Sequence, residues 1–259
     1  MSAEKRAKIK KITIKAAVAA LWLVLWQLVC FIVDMELLVV SPMTVLRRLS
    51  ELSMTAEFWQ SSLGSLGRIT EGFLLGSVTG AVLAMLCHKF TFAREFFSPA
   101  ITLIKSTPVA SFIILALVWL TGQRVPVFIA FLMVLPVVYG NVIQGIREVD
   151  PKLLEMAKVY GMNRQKRVMK IYIPSVLPYM MAACRTALGL SWKAGVAAEV
   201  IGVTKDSIGR QLYYSKIYLE TADLFAWTAV VIIMSIALEK FFLWAVSYIS
   251  TKFRLKVER

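Results

Sequence analysis

Long apolar stretches alternate with shorter polar segments along this chain. A helix needs about 20 apolar residues to cross the hydrocarbon core of a bilayer. Six stretches approach or exceed that length, at residues 16–33, 73–87, 99–120, 125–146, 176–203 and 224–249. The second stretch is short, so we expect its helix to begin earlier, within residues 61–71. The pattern therefore predicts an all-α, polytopic membrane helix bundle of about six transmembrane helices.

The first apolar stretch follows a basic segment, an arrangement that signal peptides share. It contains no charged residue between positions 16 and 33, and no small-x-small cleavage site follows it. An uncleaved membrane anchor is therefore the better interpretation. We expect a cytoplasmic basic N-terminus at residues 1–15, a single transmembrane domain at residues 16–249 and a cytoplasmic tail at residues 250–259.

Composition and charge placement support a membrane protein. The chain is 58% hydrophobic, above the roughly 45–50% apolar share of soluble domains, and its mean hydropathy is +0.69. The net charge of +14 would also suit a nucleic-acid partner. With six spans, however, 19 of the 30 Lys and Arg residues fall on the side of the two termini, against 6 in the opposite loops. The positive-inside rule then places both termini in the cytoplasm and explains the charge without nucleic acid.

The cysteines and the single histidine do not indicate catalytic or metal chemistry. Cys30, Cys87 and Cys184 lie far apart within apolar stretches, without the spacing of a metal or redox motif. His88 stands alone at the end of an apolar run. A membrane enzyme would need a convergent set of polar side chains, so we expect no catalytic residue and no metal site.

Three glycines in the second apolar stretch follow one another at intervals of four. Gly72, Gly76 and Gly80 would form a stripe without side chains on one helix face. Because helix association in lipid depends on close packing, such a stripe favours the approach of another helix backbone. The alternative is that these are ordinary membrane glycines without a packing role.

The polar connection at residues 147–175 carries the strongest local signals. Asp150 and Pro151 are typical of a helix start, and Gly161 of a helix end. Asn163 is positioned to cap a second short helix, which we expect Pro174 and Pro178 to end as they lead into the fifth span. The predicted helix–turn–helix is amphipathic and basic. It suits docking into a groove on a partner protein and, equally, lying on anionic lipid.

The same connection resembles a known motif. Glu155-Met156-Ala157, then Gly161 after three residues, then Ile171-x-Ile173-Pro174 after nine more, resembles the EAA loop of binding-protein-dependent ABC importer permeases. Met156 replaces the second Ala of that pattern and Ile173 replaces its Leu, both with apolar side chains. Lys105-Ser106-Thr107-Pro108, Ser191-Trp192 and Glu199-Val200-Ile201-Gly202 resemble the nitrate, sulfonate and taurine branch of that family.

The resemblance implies the type I ABC importer permease fold and a set of partners. It implies a bacterial inner-membrane location, a second permease copy in a dimer, two ATPase subunits that bind ATP and Mg, and an extracytoplasmic substrate-binding protein. The residues that would couple to the ATPase are Glu155, Met156, Ala157, Tyr160, Gly161, Ile171 and Pro174. The chain itself has no GxxxxGK[ST] loop for nucleotide phosphates, so we expect it to bind no cofactor.

Polar and ionisable side chains within the predicted spans are candidates for function, because they are costly there. Arg68 and Glu71 lie three residues apart, and we expect them to pair on one helix face. Lys193 and Glu199 point to different faces of one helix, so each either lines a pathway or pairs structurally with another group. The candidates for the translocation pathway are Lys105, Ser106, Thr107, Trp192, Lys193 and Glu199. Ser106, Thr107 and Pro108 also weaken the helix and allow a bend, as does Pro136.

The excess of Lys and Arg over Glu in the spans favours a small anionic solute such as a sulfonate, taurine or nitrate. A thiamine-precursor pyrimidine or a similar heterocycle is an alternative. A self-sufficient secondary transporter or a membrane scaffold would be a different class of protein. A secondary transporter usually shows an internal repeat or a row of intramembrane acids, and the sequence shows neither.

Overall fold

The structure, a computed structural model, describes the backbone of residues 3–257 and the side chains of residues 13–245. That part of the chain is helical, without strands. Its helices are α1 (Ala3–Val33), α2 (Pro42–Ser53), α3 (Ala56–Lys89), α4 (Thr91–Ser106), α5 (Val109–Trp119), α6 (Val125–Arg147), α7 (Pro151–Val159), α8 (Arg164–Arg167), α9 (Ile173–Gly202), α10 (Ile208–Ile217) and α11 (Thr221–Val257). The all-α class predicted from the apolar pattern is confirmed.

Four described helical segments are long and apolar enough to cross a membrane, and a bent pair of helices raises the number to five. The four are Thr13–Val33, Ala56–Lys89, Val125–Arg147 and Thr221–Ala245, and the bent pair is α4 with α5. The helix of the second span does begin before residue 73, but α3 begins at Ala56, earlier than the expected range of residues 61–71. Helix α9 is 30 residues long but carries Arg185, Lys193 and Glu199. Its membrane crossing therefore stays a prediction.

The expected third span is not one continuous helix. Helices α4 and α5 meet at 109° across a break at Thr107 and Pro108. Thr107 adopts extended backbone angles, φ −86° and ψ 132°, because the ring of a following proline disfavours the helical region for the residue before it. The sequence predicted that the helix is weak at this position, but it did not predict the angle between α4 and α5. At Pro136, by contrast, α6 runs on as one helix.

One compact unit comprises Met1–Trp59 and Gln211–Val230. Its core joins Val40, Val45 and Ala226, and the Trp26 ring stacks on Phe225 at 6.0 Å. Arg48 of α2 binds the Asp223 carboxylate through both Nε and Nη2. Hydrogen bonding to Asp223 raises the pKa of the Arg48 guanidinium above its ordinary value. This pair thus remains ionic wherever the carboxylate is ionised.

The second compact unit comprises Gln60–Arg210 and Val231–Arg259. Helices α3, α6 and α9 supply most of its core, a cluster that includes Phe73, Val138 and Ala187. The glycine stripe of α3 lies against α6, where the carbonyl oxygens of Val127, Phe131 and Leu135 approach the three glycines in turn. A Cβ atom would lie 2.3 Å from the first of these oxygens at Gly72 and 2.8 Å from the others at Gly76 and Gly80. This contact is one that only residues without a side chain permit.

Candidate coupling loop and polar clusters between the helices

The first helix of the 147–175 connection is defined by its two caps. Asp150 accepts a hydrogen bond from the Lys152 backbone N–H at 2.9 Å, with Pro151 at the first helical position. At the other end, Gly161 has φ +58°, a left-handed angle that glycine adopts without strain. The Met162 N–H then bonds back to the Ala157 carbonyl at 2.8 Å. Helix α7 therefore starts and stops where its local sequence predicts.

The two faces of α7 have different environments. Ala157 is buried and packs in a cluster with Val149 and Ile171, so the far side of the loop holds the helix in place. Val159 and Tyr160 are 84% and 78% exposed, and Met156 is also exposed. Glu155 lies on the exposed side as well. The loop thus presents exposed apolar side chains together with the carboxylate of Glu155 and the ammonium group of Lys158, on a base that is packed.

The second helix of the connection does not end before the next span. Asn163 caps α8 as predicted, by accepting from the Lys166 N–H at 2.9 Å. A π-helical turn, Val168–Tyr172, then joins α8 to α9 without a break. In that turn the Ile173 N–H bonds to the Val168 carbonyl, one residue further back than in an α-helix. The shift accommodates Pro174, which lacks an N–H and would crowd a carbonyl in a regular helix.

The expectation that Pro174 and Pro178 terminate this helix is therefore wrong. Both prolines lie within α9, Pro174 in its first turn and Pro178 further inside. As a consequence, the coupling-loop candidates Ile171 and Pro174 are joined by continuous helix to the rest of α9. A displacement of the loop would be transmitted through this continuous helix to the rest of the bundle.

Glu199, on α9, is fully buried and its carboxylate is surrounded by donors. Ser65 Oγ donates to Oε2 at 2.6 Å, and Arg68 donates to Oε1 through Nε at 3.2 Å and Nη2 at 3.1 Å. The Gly209 backbone N–H also points at Oε2, at 3.4 Å. A buried carboxylate is tolerated only with this degree of compensation. The cluster ties α3, α9 and the start of α10 together.

The loop before α10 closes over the same cluster. Ser65 Oγ accepts from the Ile208 N–H at 2.9 Å, and Arg68 Nη2 donates to the Asp206 carbonyl at 2.6 Å. A Cβ atom on Gly209 would lie 2.3 Å from the Glu199 Cβ, so the approach requires glycine. Sequence reasoning missed Ser65 and Gly209. The available signal was the spacing of three between Ser65 and Arg68, which places both on one face of α3.

The expected pairing of Arg68 with Glu71 is wrong. Arg68 binds Glu199, 131 positions away, while Glu71 accepts from Arg124 Nη1 at 3.0 Å. The two residues share a helix face, but each has a better-placed partner on another helix. The sequence left Glu199 either lining a pathway or pairing structurally with another group. The fold contains the structural pair.

The other pathway candidates lie in different surroundings. Trp192 is buried and donates from Nε1 to the Val231 carbonyl at 3.1 Å. Lys193, Lys105 and Ser106 are exposed, and Thr107 is half-buried at the break between α4 and α5. The structure does not gather the six candidates into one site, and a pathway role for the exposed ones stays a prediction. Within the described side chains, no three His, Cys, Asp or Glu residues group closely enough to hold a metal ion.

The four or five membrane-length helices of the described part of the chain are those of a multi-pass membrane protein. The chain belongs to the family described as binding-protein-dependent transport system inner membrane components, whose model matches residues 72–255. The resemblance inferred from the EAA pattern is thereby confirmed at the level of the family.

Relatives and solved structures agree with this assignment. The chain is 27% identical to a putative aliphatic sulfonates transport permease protein of Bacillus subtilis over 219 residues, 84% of this chain and 78% of the relative. It is 30% identical over 145 residues to a bicarbonate transport system permease protein of Synechocystis, 56% of this chain and 51% of the relative. Among solved structures, an amino acid ABC transporter chain superposes with a TM-score of 0.62 at 18% identity, covering 79% of this chain and 97% of that one. An alginate ABC transporter chain gives a TM-score of 0.59 at 14% identity, with 95% and 97% covered, so these chains share the fold.

Proposed function

We propose that this chain forms the translocation pathway of an ABC importer for a small anionic solute in a bacterial inner membrane. A separate pair of ATPase subunits would bind ATP and Mg, a second permease copy would complete the membrane part, and a substrate-binding protein would deliver the solute. The observation that carries the proposal is the geometry of the 147–175 loop in a chain of this family. Both termini would lie in the cytoplasm with that loop.

The exposed tip of α7 suits insertion into a groove on the ATPase. Met156, Val159 and Tyr160 are exposed apolar side chains on one short helix, beside the carboxylate of Glu155. An amphipathic helix that lays apolar side chains into a groove is a common mode of protein recognition. Lipid binding would use the same apolar side chains, but it would be strengthened by additional positive charge. A change of charge at Glu155 therefore separates the two partners.

The base of the loop supplies a path for mechanical coupling. Ala157 packs on Ile171, and Ile171 lies in the π-helical turn that continues into α9. Movement of α7 when the ATPase pair closes would thus be passed to α9 rather than absorbed in a flexible linker. Such rigid-body transmission is how a switch at one face changes access at another.

Two observations support an anionic substrate. The two relatives described above are named for aliphatic sulfonates and for bicarbonate, both anions. In this chain, Lys105, Arg185 and Lys193 are exposed cationic side chains on helices of the bundle. A net positive route lowers the cost of moving an anion across the membrane. Neither observation selects one anion.

The test is capture of the ATPase by the permease. We expect Glu155→Lys to reduce co-purification of the co-expressed ATPase at least about tenfold and to abolish ATP-driven uptake. Glu148→Lys makes the same charge change at an exposed position before α7 and is the matched control. Unchanged capture with both variants, or tighter vesicle binding as the main effect of Glu155→Lys, would show that the loop binds lipid instead.

A further inference from the structure

A polar cavity of about 230 Å³ lies between α9 and α11, within the second compact unit. Its floor is the buried ring of Trp192, held in place by the hydrogen bond to the Val231 carbonyl. It is lined by the polar residues Arg185, Thr186, Ser235 and Glu239, by Gly189, and by the apolar side chains of Leu188, Trp192 and Leu238. At about 30 Å³ per water molecule, this volume corresponds to roughly seven waters. The space suits a solute of a few heavy atoms.

The only charged side chains of this lining are Arg185 and Glu239, and they pair loosely. Arg185 Nε donates to Glu239 Oε1 at 3.1 Å, with the side chains 60% and 46% exposed. Among the described side chains, this is the single hydrogen bond that Arg185 makes, so Nη1 and Nη2 are left to other acceptors. The Arg48 side chain, by comparison, binds its carboxylate through two nitrogens. The free edge of the Arg185 guanidinium has the geometry that binds two oxygens of an oxyanion.

The position of the pair argues against a lipid-facing role. Glu239 lies in the membrane-length segment Thr221–Ala245, and charged groups within spans face water or other protein groups because exposure to hydrocarbon is costly. The α9 surface at the cavity includes Gly189. A Cβ atom on Gly189 would meet no atom within 4 Å, so space remains open beside the cavity.

We propose that this cavity is a low-affinity oxyanion site on the transport route. Arg185 binds sulfonate or carboxylate oxygens of the solute, Ser235 and Thr186 line the site, and Glu239 neutralises Arg185 between passages. The Glu239 carboxylate competes with the solute for the Arg185 guanidinium. This competition prevents tight binding that would trap the solute. This inference rests on the proposed anion import, but it assigns a site to residues that the family's coupling motif does not include.

The site is tested by the charge preference of a cysteine placed in it. Ser235→Cys is labelled in membranes with two methanethiosulfonate reagents of similar size, one carrying an ethylsulfonate and the other an ethyltrimethylammonium group. Each rate is taken relative to the rate of the same reagent with a small free thiol. On this scale we expect both reagents to react from water and the sulfonate reagent to react about tenfold faster, since a cation at this range biases the local anion concentration. Added ethanesulfonate should slow its reaction. The unsubstituted chain measures the background from Cys30, which is half-buried, and from Cys87 and Cys184, which are buried.

Variants of the pair distinguish binding from a purely structural role. We expect Arg185→Gln to remove the sulfonate preference and Glu239→Gln to increase it severalfold, because the guanidinium is then free. The double variant Arg185→Gln with Glu239→Gln carries no unpaired charge, and it should fold while still lacking the preference. Ile236→Cys, one position further along α11 and exposed, is the control and should show no preference that depends on Arg185.

The proposal is overturned if the Ser235→Cys thiol does not react, or if both reagents react equally whatever residue stands at position 185. Labelling requires neither ATP nor a partner subunit. If the permease does not capture the ATPase, the proposed function is refuted and the labelling result still stands. If the labelling shows no charge preference, the oxyanion site is refuted and the proposed function still stands.

Discussion

Substitution of Gly72 by alanine tests the contact between α3 and α6. The added Cβ would lie 2.3 Å from the Val127 carbonyl oxygen and 2.7 Å from the Ala130 Cβ, so the two helices must separate. Overpacking of this kind costs about 1–3 kcal/mol. Alanine also gains about 1 kcal/mol over glycine in a helix, which partly offsets the loss. Gly67→Ala, on the same helix with no atom within 4 Å, has the gain without the clash.

The difference between these two variants isolates the packing cost, because the gain in helix propensity is common to both. We expect Gly72→Ala to melt below Gly67→Ala by about 5 °C in detergent, on the scale of a few degrees per kcal/mol. Gly80→Ala, whose Cβ would lie 2.8 Å from the Leu135 oxygen and 3.1 Å from the Val138 Cβ, should fall between them. Equal melting temperatures for the three variants would refute the close approach of α3 and α6.

Three further perturbations have defined outcomes. Glu199→Gln leaves the buried Arg68 without its carboxylate and should destabilise the fold by about 3 kcal/mol or more in thermal unfolding, whereas Glu71→Gln, in an exposed pair, should cost about 1 kcal/mol or less. An equal effect of the two would contradict the burial of the first pair. Gly161→Ala places a residue with a side chain at φ +58°, so it should lower the free energy of unfolding by about 1 kcal/mol. ATP-driven uptake should fall while the protein is still present in the membrane. Normal uptake would show that the turn is not needed. Asp223→Asn removes one of the two carboxylates that bind Arg48 and leaves that of Glu51, which lies on α2 itself. We expect faster proteolysis at α2, and a cleavage rate like that of the unsubstituted chain would argue against the pair with Asp223.

Local signals in the sequence predicted the helix caps of the 147–175 loop, but they did not predict the features that depend on packing. Asp150, Gly161 and Asn163 act through hydrogen bonds and backbone angles within a few residues of themselves. Their roles as caps can therefore be recognised in the sequence. Pro174 was misjudged because its effect depends on whether a neighbouring turn can shift to π-helical hydrogen bonding.

The polar pairs between helices could not be predicted from the sequence. Arg68 has Glu71 at a suitable helical spacing, yet it binds Glu199 on α9. The choice depends on which helices are neighbours and on the rotation of each about its axis. Hydrophobic periodicity gives little information about that rotation in lipid, where most faces of a span are apolar.

The sequence by itself determined that this is a membrane protein of helices, where most of those helices lie, and that a capped helix interrupts the spans at residues 151–159. These properties follow from local composition, because burial in lipid and helix capping act on neighbouring residues. Only the tertiary structure decided the 109° turn between α4 and α5, the burial of Glu199 among donors from two other helices, and the meeting of Arg185 with Glu239. The two pairings depend on contacts between residues far apart in the chain, and the energy of such contacts exists only once the helices have packed.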